Sequence, residues 1–514
     1  MHSSVESPRR VDARGSIDDD DYNDYDCDYE FDGENQEEVL QRQQEKLSQL
    51  YNLLQAEPKD LIRFEDEGSS GVRGMYLNHS VKNGEIILKL PLSSCLTDDR
   101  PPSWLHDEVK NDPHRWATRL AASWADLHLK NKLAAGGKNS DNDDDNNDND
   151  NSQQVDEGHA VWSSLLPDPE YLRASLPVHW PETTVLNARS TALELAVDSA
   201  FFARAEAVDD LFRGFQRSPY AEIFSNNDDD DSKDGMDMDM DMSMNELAHH
   251  ALDMIQTRSC RLEEKHALDD DDNENRVEYR RVLAPIFDFI NHGSQNAATG
   301  SANAYFALEE EEQQSTESSS SSSNIEKYLV VRSMKDISQD EEVKMDYGGS
   351  ARPAWKCLLS YGFVPEYKRT MDNADGGENL AEVYMKGVRY EVSDDSVPID
   401  MVADATPLQW LEDEDDQQTN DTNATPPELV LTPDIALRIA ERIADAAYYL
   451  LLEPEQILDD SDSKEVPPTP FEVISKQLAA SLRWSQHRIL LTCAAGLTQF
   501  AKENSKEEES TCHP

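Results

Sequence analysis

Runs of acidic residues interrupt this chain at intervals, and they decide which parts of it can fold together. Like charges at such density repel one another, so these runs are predicted to be disordered loops or tails. A folded core must therefore be assembled from the segments between them. The runs are Asp18 to Asp32, Asp141 to Asp150, Asp228 to Asp241, Asp269 to Glu274, Glu309 to Glu312 and Glu412 to Asp416.

The overall negative charge excludes some classes of binding partner. With a formal net charge of −58 over 514 residues, the chain is repelled by nucleic-acid phosphates and by anionic lipid. We expect neither a nucleic acid nor a membrane as partner, whereas a basic protein is permitted. A length of this size suffices for two or three domains.

No metal site is predicted. The six cysteines are far apart and form no C-x-x-C pair, which indicates neither a disulfide framework nor a thiolate zinc site. The Met-Asp repeat from Met236 to Met242 lacks the glycine turn and terminal glutamate of a calcium loop, so it is interpreted as a solvated insertion. The histidines, including His249 and His250, are expected at the surface.

The N-terminal residues contain no apolar signal segment, and no run of about eighteen apolar residues follows anywhere. We expect a soluble monomer that is intracellular, either cytoplasmic or nuclear.

Local patterns in the first part of the chain predict a mixture of helices and strands. A short helix is expected from Gln44 to Leu54, and Asn83-Gly84 predicts a tight turn between two strands within 71–97. Spacings of three and four residues between apolar positions predict further helices. These helices are Arg115 to Leu133, Thr191 to Phe215 and Asn245 to Leu262.

The middle of the chain is rich in strand patterns, and its end is helical. Strands are predicted at Val282 to Ile290, Asn303 to Leu308, Tyr328 to Arg332 and Val343 to Tyr347, with 309–324 as a surface loop. Thr432-Pro433-Asp434 is a typical helix start, with a hydroxyl N-cap and proline at the first turn. Two amphipathic stripes follow, Ile435-Ile439-Ile443-Ala447-Leu450 and Ile474-Leu478-Leu482-Ile489-Cys493-Leu497-Phe500.

Three blocks in this region carry the functional signal. The first is Pro285-x-x-Asp288-x-x-Asn291-His292, the second runs from Ile337 to Gly348 and contains Asp346-Tyr347-Gly348, and the third is Leu359-Ser-Tyr361-Gly-Phe363-Val-Pro365. Their order and spacing resemble the signature blocks of SET-domain methyltransferases. The resemblance implies an α+β fold of short β-sheets, S-adenosylmethionine as cofactor and methyl transfer to a nitrogen of a protein side chain.

The resemblance also implies roles for individual residues. Tyr347 and Tyr361 correspond to the catalytic and channel tyrosines, and Phe363 to an aromatic residue beside the adenine. Tyr347 is also implied as a cofactor contact. The remaining residues implied in cofactor binding are Arg73 and Gly74 of an N-terminal glycine turn, Thr257 and Arg258 at a helix end, Asp288, Asn291 and His292.

Within the superfamily, the architecture resembles the Rubisco large-subunit methyltransferase group, because cysteine-rich zinc clusters are missing and a long helical insertion separates the two halves of the SET domain. That group methylates non-histone proteins, so a protein substrate with a lysine acceptor is implied. The expected organisation is an acidic tail at 1–45, a SET domain at 46–365 with a helical insertion at 97–281, and a helical substrate-binding domain at 366–514.

Two departures from the family pattern keep alternatives open. The glycine turn reads Gly71-x-x-Gly74 instead of G-x-G, and Asp340 replaces the usual turn glycine, although aspartate tolerates left-handed backbone. These departures leave a non-catalytic SET-fold scaffold as an alternative. A histidine methyltransferase is a further alternative, because the choice of acceptor depends on the shape of the channel. Hydrolases with G-x-S-x-G, P-loop enzymes and Rossmann-type methyltransferases are disfavoured, since their motifs are missing from the sequence.

Overall fold

The structure is a computed structural model, and it describes most of the chain between the acidic runs. The described residues are 36–66, 73–136, 150–225, 242–266, 276–293, 302–312, 325–347, 353–365, 367, 380–406, 430–452 and 469–511. The acidic runs at 18–32, 228–241, 269–274 and 412–416 lie outside these residues, as do 141–149 and nearly all of the Met-Asp repeat. Within the described part of the chain, no helix is both long and apolar enough to cross a bilayer.

The first folded segment is a helix followed by short strands. Its apolar side, including Leu47, Leu50 and Leu54, is buried against the sheets. The elements are α1 (Gln36–Leu53), β1 (Ile62–Asp66), β2 (Arg73–Leu77), β3 (Ile86–Pro91) and β4 (Leu96–Thr97). Helix α1 begins eight residues earlier than Gln44, inside the segment predicted as a tail. The tight turn at Asn83-Gly84 is confirmed, with Gly84 at φ +82°.

A helical layer follows, and two of its long helices agree with the predictions from apolar spacing. These are α3, whose Leu120, Trp124 and Leu127 are buried, and α7, which matches the predicted bounds. The elements are α2 (Asp107–Asn111), α3 (Trp116–Gly136), α4 (Asp150–Ser163), α5 (Pro169–Ser175), a 3-10 turn (Pro177–His179), α6 (Glu182–Asn187), α7 (Thr191–Phe215), α8 (Ala221–Ser225) and α9 (Met244–Arg258).

The chain then returns to short strands. They form a five-stranded sheet in the order β3-β9-β8-β10-β7 and a three-stranded sheet in the order β4-β6-β5, beside the hairpin β1-β2. The elements are β5 (Cys260–His266), β6 (Arg276–Leu283), β7 (Asn291–His292), β8 (Ala304–Glu312), β9 (Ile325–Ser333), β10 (Lys344–Met345) and α10 (Ala354–Tyr361). The α+β class with several short sheets is confirmed.

The C-terminal part contains a hairpin as well as the two predicted helices. Thr432 caps the first helix through its Oγ, as expected, and the predicted stripe from Ile435 to Leu450 is buried. The elements are β11 (Leu380–Met385), β12 (Val388–Ser393), α11 (Ile399–Ala405), α12 (Pro433–Leu451) and α13 (Pro470–Thr511). Strands β11 and β12, which the sequence analysis missed, turn at Lys386-Gly387, where both φ angles are positive.

Three buried apolar clusters hold these parts together. One joins the short sheets to α1, α3 and α9, and a second fills the space between β11, β12, α12 and α13. The third combines Trp180 and Val185 of the helical layer with Leu358 of α10 and Leu482 of α13. This third cluster packs the helical layer, α10 and α13 against one another.

Two predicted elements near the functional blocks are wrong in their extent. The helix predicted to Leu262 ends at Arg258, because the chain from Cys260 onward pairs with β6. The strand predicted from Val282 to Ile290 ends at Leu283, and Ile286 then takes a positive φ of 70° before a 3-10 turn. A β-branched residue in that conformation is strained.

Side chains in two other places also differ from expectation. The acidic residues Glu309 to Glu312 form the end of β8 instead of a loop, and their partners on β9 include Lys327, which faces Glu310. His250 is buried rather than exposed, with its ring edge-on to Trp124 at a centroid distance of 4.9 Å. Apolar neighbours can therefore enclose a neutral imidazole, and the sequence alone does not predict this burial.

Candidate active site

Two very short parallel strands bring the first two signature blocks together. In the register of β7 and β10, Asn291 lies opposite Lys344 and His292 opposite Met345. The main-chain N–H of Tyr347, two residues beyond β10, donates to Nδ1 of His292 at 3.3 Å. Residues more than fifty positions apart in sequence thus become neighbours through two pairs of strand residues.

The third block completes an aromatic cluster, which we define as His292, Tyr347, Tyr361 and Phe363. The ring centroids of Tyr347 and Tyr361 are 5.0 Å apart, those of His292 and Tyr347 are 5.3 Å apart, and those of His292 and Phe363 are 5.6 Å apart. These spacings are typical of aromatic pairs in direct contact. The structure therefore brings together the four aromatic residues that the three blocks predicted.

Gly362 allows Tyr361 and Phe363 to enter the cluster from either side of a helix end. It ends α10 in the left-handed conformation, with φ +76°. A Cβ built on it would lie 2.6 Å from Oγ of Ser175. Backbone conformation and close packing both require glycine at this position.

Both tyrosine hydroxyl protons of the cluster are donated to main-chain carbonyls. Tyr347 donates to the carbonyl of Ile290 at 2.5 Å, and Tyr361 donates to the carbonyl of Tyr347 at 2.8 Å. A phenol oxygen whose proton is fixed in this way keeps its lone pairs for other partners. The two oxygens are thus positioned as acceptors.

Burial also controls the ionisation of Tyr347. Desolvation raises the pKa of Tyr347 well above its ordinary value, and nearby Cys260, Asp288 and Tyr361 add to this, while Arg258 opposes it. The phenol therefore stays neutral at physiological pH. A neutral phenol beside a cationic centre can stabilise that centre but cannot serve as a phenolate base.

A buried ion pair lies behind the cluster. The Nε of Arg258 is 3.6 Å from Oδ2 of Asp288, and Nη1 of Arg258 donates to Oγ1 of Thr257 at 2.7 Å. Asp288 also accepts from Nε1 of Trp162, at 3.2 and 3.3 Å from its two oxygens. Desolvation lowers the pKa of Arg258, although the coulombic attraction of Asp288 opposes this. Thr257, Arg258 and Asp288 therefore form one connected group.

A second polar group surrounds Asn291. Its Nδ2 donates to Oε1 of Glu342 at 2.9 Å, and Glu342 also pairs with Lys344. A Cβ added to Gly74 would lie 2.8 Å from that same Oε1. Gly74 and Asn291 are thus brought to the same carboxylate. Arg73 lies in β2 opposite Asp66, and its side chain is outside the described part of the structure.

Two residues of the site were not singled out from the sequence. Glu342 is the second glutamate of the block Ile337-Ser-Gln-Asp-Glu-Glu-Val343, so its signal was present. Trp162 comes from α4, more than a hundred residues before Asp288, and no local pattern marks it. Only the packing of the helical layer against the sheets reveals its role.

The unusual residue Asp340 occupies the position of a turn glycine without apparent disruption. Its φ is +63°, and its N–H donates to the carbonyl of Leu77 at 2.9 Å. Its carboxylate accepts from Nη2 of Arg63 at 2.8 Å. The expected tolerance of aspartate for left-handed backbone is confirmed. Among the described residues, no group of three or more histidine, cysteine or acidic side chains could hold a metal ion.

In comparisons with known proteins, likeness is found among solved structures. Neither a protein-family model nor a curated protein matches the sequence. Among solved structures, "Structure of Rubisco LSMT bound to AdoMet" matches with 13% identity over 90% of this chain and 93% of that chain, at a TM-score of 0.44. "Crystal structure of the SET domain of LSMT bound to Lysine and AdoHcy" matches with 13% identity over 91% and 92%, at 0.41.

These structures come from the group that the sequence motifs resemble. At this identity and with TM-scores below 0.5, however, the likeness carries none of the functional argument. The aromatic cluster and the polar groups of Arg258 and Asn291 carry it instead.

Proposed function

We propose that this protein is an S-adenosylmethionine-dependent protein-lysine N-methyltransferase that acts on a non-histone protein. The observation that carries the proposal is the aromatic cluster, in which three separate blocks meet with their ring centroids 5.0–6.5 Å apart. A plain structural core would not need two phenols oriented by main-chain carbonyls beside a buried arginine.

The residues fit the cofactor chemically. S-adenosylmethionine has a carboxylate, an amine, an adenine ring and a sulfonium whose methyl group is strongly activated for transfer. The guanidinium of Arg258 can attract the carboxylate of the cofactor in competition with Asp288, whose Oδ2 lies 3.6 Å from its Nε. Asn291 offers an amide beside Glu342, and Gly74 lets the backbone of β2 lie close to that same carboxylate and to the ring of Tyr76. Phe363 supplies a flat apolar face for a purine.

The aromatic cluster would prepare the acceptor lysine. Removing the proton of a lysine with a solution pKa near 10.4 costs roughly 4–5 kcal/mol at pH 7. Transfer into an aromatic, water-poor site disfavours the ammonium ion and so lowers this cost. The neutral oxygens of Tyr347 and Tyr361 would then accept hydrogen bonds from the amine and orient its lone pair toward the methyl group.

Tyr347 is not suited to act as a general base. The raised pKa of Tyr347 keeps its proton in place, and its hydroxyl is held by the carbonyl of Ile290. The lysine proton is therefore expected to leave to water before the transfer. The role of the chain is to position donor and acceptor in line and to exclude water.

The C-terminal part is proposed to hold the protein substrate. Its outer surface carries several exposed aromatic residues, including Tyr448, Tyr449 and Trp484. Exposed aromatic groups of this kind are frequent at protein interfaces. Arg189 of the helical layer lies over the ring of Tyr449 at 4.6 Å, so this surface is continuous with the insertion.

Calorimetric titration of the purified protein with S-adenosylmethionine tests the proposal first. Saturable binding that is lost in Asn291→Ala supports it, with Asn52→Ala, a substitution on α1, as the matched control. Transfer of a labelled methyl group to lysines of lysate proteins, abolished in Tyr347→Phe, supports the activity. If the folded wild-type protein does not bind S-adenosylmethionine, the chain is a non-catalytic scaffold with a SET fold. If the label is found on histidine, the protein is a histidine methyltransferase and not a lysine methyltransferase.

A further inference from the structure

A cavity lies between α7 and α9, away from the aromatic cluster. It has a volume of about 480 Å³ and is closed at one side by the 3-10 turn Pro177–His179. Pockets that bind ligands commonly fall between about 300 and 1,000 Å³. Its walls include Val208, Phe201 and Phe212, and its floor includes His179, Arg204 and His249.

The charges on the floor are already satisfied by one another. Asp253 is fully buried and accepts from Nε2 of His179 at 2.8 Å and from Nη2 of Arg204 at 2.6 Å. The other nitrogens of Arg204 donate to Nδ1 of His249 at 3.1 Å and to Gln256 at 3.5 Å. A charged ligand group would find no free counter-ion on this floor. The cavity therefore suits an apolar group.

The walls leave aromatic surface exposed to water. Phe201 is 60% exposed and Phe212 is 37% exposed. Neighbouring exposed aromatic side chains of this size mark interaction sites in soluble proteins. Burying an aromatic or large aliphatic side chain of a partner against them removes this surface from water.

The rim of the cavity is negatively charged. The outer side of α7 carries the carboxylates of Asp198, Glu206 and Asp209, of which Asp209 lines the cavity. Asp209 pairs with Arg213 and Glu206 pairs with Arg115, so the negative charge of this side comes from the exposed Asp198 and from the excess of carboxylates over arginines. The acidic residues of α7 are Glu194, Asp198, Glu206, Asp209 and Asp210, and its basic residues are Arg204 and Arg213.

We propose that this cavity is a docking site for a basic segment of the protein substrate, which inserts one aromatic or large aliphatic side chain between Phe201 and Phe212. Lysine or arginine residues beside that side chain would face the acidic rim. This inference rests on the proposed methyltransferase function for its biological meaning, but the binding itself does not require the cofactor.

The position of the cavity suits recognition at a distance from the methyl acceptor. His249 on its floor and Arg258 of the site are both on α9, nine residues apart, which corresponds to roughly 13 Å along a helix. A partner can therefore occupy the cavity and still reach the aromatic cluster with another residue. Two contacts with one substrate would increase its effective concentration at the site.

Fluorescence anisotropy with labelled peptides, in the absence of cofactor, tests the proposal. The probe is a Lys/Arg-rich peptide with a central Phe-Leu pair, compared with the same peptide carrying Ala-Ala and with an acidic peptide carrying Phe-Leu. We expect the first peptide to bind saturably and the other two at least about tenfold more weakly. Equal binding of the Ala-Ala peptide, or no binding of any peptide, overturns the proposal.

Two pairs of variants on α7 locate the binding. Phe201→Ala should weaken it about tenfold, whereas Phe202→Ala, an exposed neighbour outside the cavity, should leave it within about twofold. Ala205→Trp should fill the cavity and block binding, whereas Ala203→Trp should not. Binding unchanged in both Phe201→Ala and Ala205→Trp would place the peptide elsewhere.

Sedimentation velocity tests whether the occupant of the cavity is a second copy of this chain and not a substrate segment. If wild-type protein forms a dimer that Ala205→Trp dissociates, the occupant is a second copy of this chain and the proposal is wrong. Peptide binding without S-adenosylmethionine binding would refute the proposed function and keep the docking site. The reverse result would keep the function and refute the docking site.

Discussion

The hydroxyl of Tyr361 donates a hydrogen bond to the main-chain carbonyl of Tyr347, 2.8 Å away. One tyrosine of the aromatic cluster therefore fixes the backbone on which the other is carried. The hydroxyl of Tyr347 in turn donates a hydrogen bond to the main-chain carbonyl of Ile290. This chain of two bonds connects the second and third signature blocks to the turn before β7, so the cluster is expected to respond to substitution as a unit.

Tyr361→Phe is the direct test of that connection. Loss of one neutral hydrogen bond corresponds to about 0.5–1.5 kcal/mol, which predicts a two- to tenfold fall in the rate of methyl transfer. Binding of S-adenosylmethionine should stay unchanged, since Tyr361 donates to a carbonyl and not to the polar groups of Arg258 or Asn291. Single-turnover rates and calorimetry measure the two effects. A parallel loss of cofactor affinity would contradict the assignment.

The pH dependence of transfer should lack a descending limb up to about pH 10. The pKa of Tyr347 is raised by burial, so its folded form keeps the proton beyond the range in which an ordinary tyrosine loses it. The rate should instead rise with pH as more lysine becomes neutral. Pre-steady-state rates between pH 6 and 10 measure this. A decline that sets in as pH approaches 10 would mean that Tyr347 ionises in the normal range.

Trp162→Phe should lower both the stability of the protein and its affinity for the cofactor, although Trp162 is not part of the aromatic cluster. The substitution keeps the ring but removes the Nε1 donor to Asp288, which leaves a buried carboxylate with one donor fewer. We expect a loss of about 1–3 kcal/mol in the free energy of unfolding and weaker binding of cofactor. Trp104→Phe is the matched control, because it removes an indole donor to Asp126 in the helical layer. Similar losses of cofactor affinity in both variants would refute the role of Trp162.

Gly362→Ala should destabilise the protein more than Gly387→Ala does. Both glycines have φ near +80°, so both substitutions incur the cost of left-handed backbone, about 1–2 kcal/mol. Only at Gly362 would the new Cβ meet another residue, Ser175, whereas at Gly387 no atom lies within 4 Å. Chemical denaturation measures the difference. Methyl transfer should fall in the first variant alone, because Phe363 would be displaced.

Acid should destabilise the helical layer through its buried histidines. Burial lowers the pKa of His128 and of His250 to about 4, against about 6.5 in the unfolded chain. Protons therefore bind the unfolded state more readily, and this part of the stability is complete above pH 6.5 and lost as pH falls toward 4. His250→Phe should make the free energy of unfolding less sensitive between pH 7 and 5. The exposed His114→Phe should not change that sensitivity.

The sequence predicted the periodic elements well and the short ones poorly. Helix α7 and the buried stripe of α12 follow from apolar spacing alone, since a stripe of that length permits only one helical face. Strands β7 and β10 contain two residues each and have no period to detect. The strained turn at Ile286 depends on packing, which overrides its local preference for extended backbone.

The candidate site shows the same division. Some site residues could be predicted because their blocks resemble a family, and the structure brings them together. They are Asn291, His292, Tyr347, Tyr361 and Phe363. The role of Trp162 could not be predicted from the sequence, because its contact with Asp288 spans 126 residues and depends on how the helical layer packs. Long-range hydrogen bonds of this type leave no trace in local composition.

The apolar cluster that joins Trp180, Leu358 and Leu482 has a practical consequence for dissecting the protein. A fragment that ends at residue 365 would retain every signature block, yet it would lose the helix that covers Trp180 and Leu358. Those side chains would face water, and the fragment should aggregate or unfold. We therefore expect that a stable fragment with all three blocks must include α13.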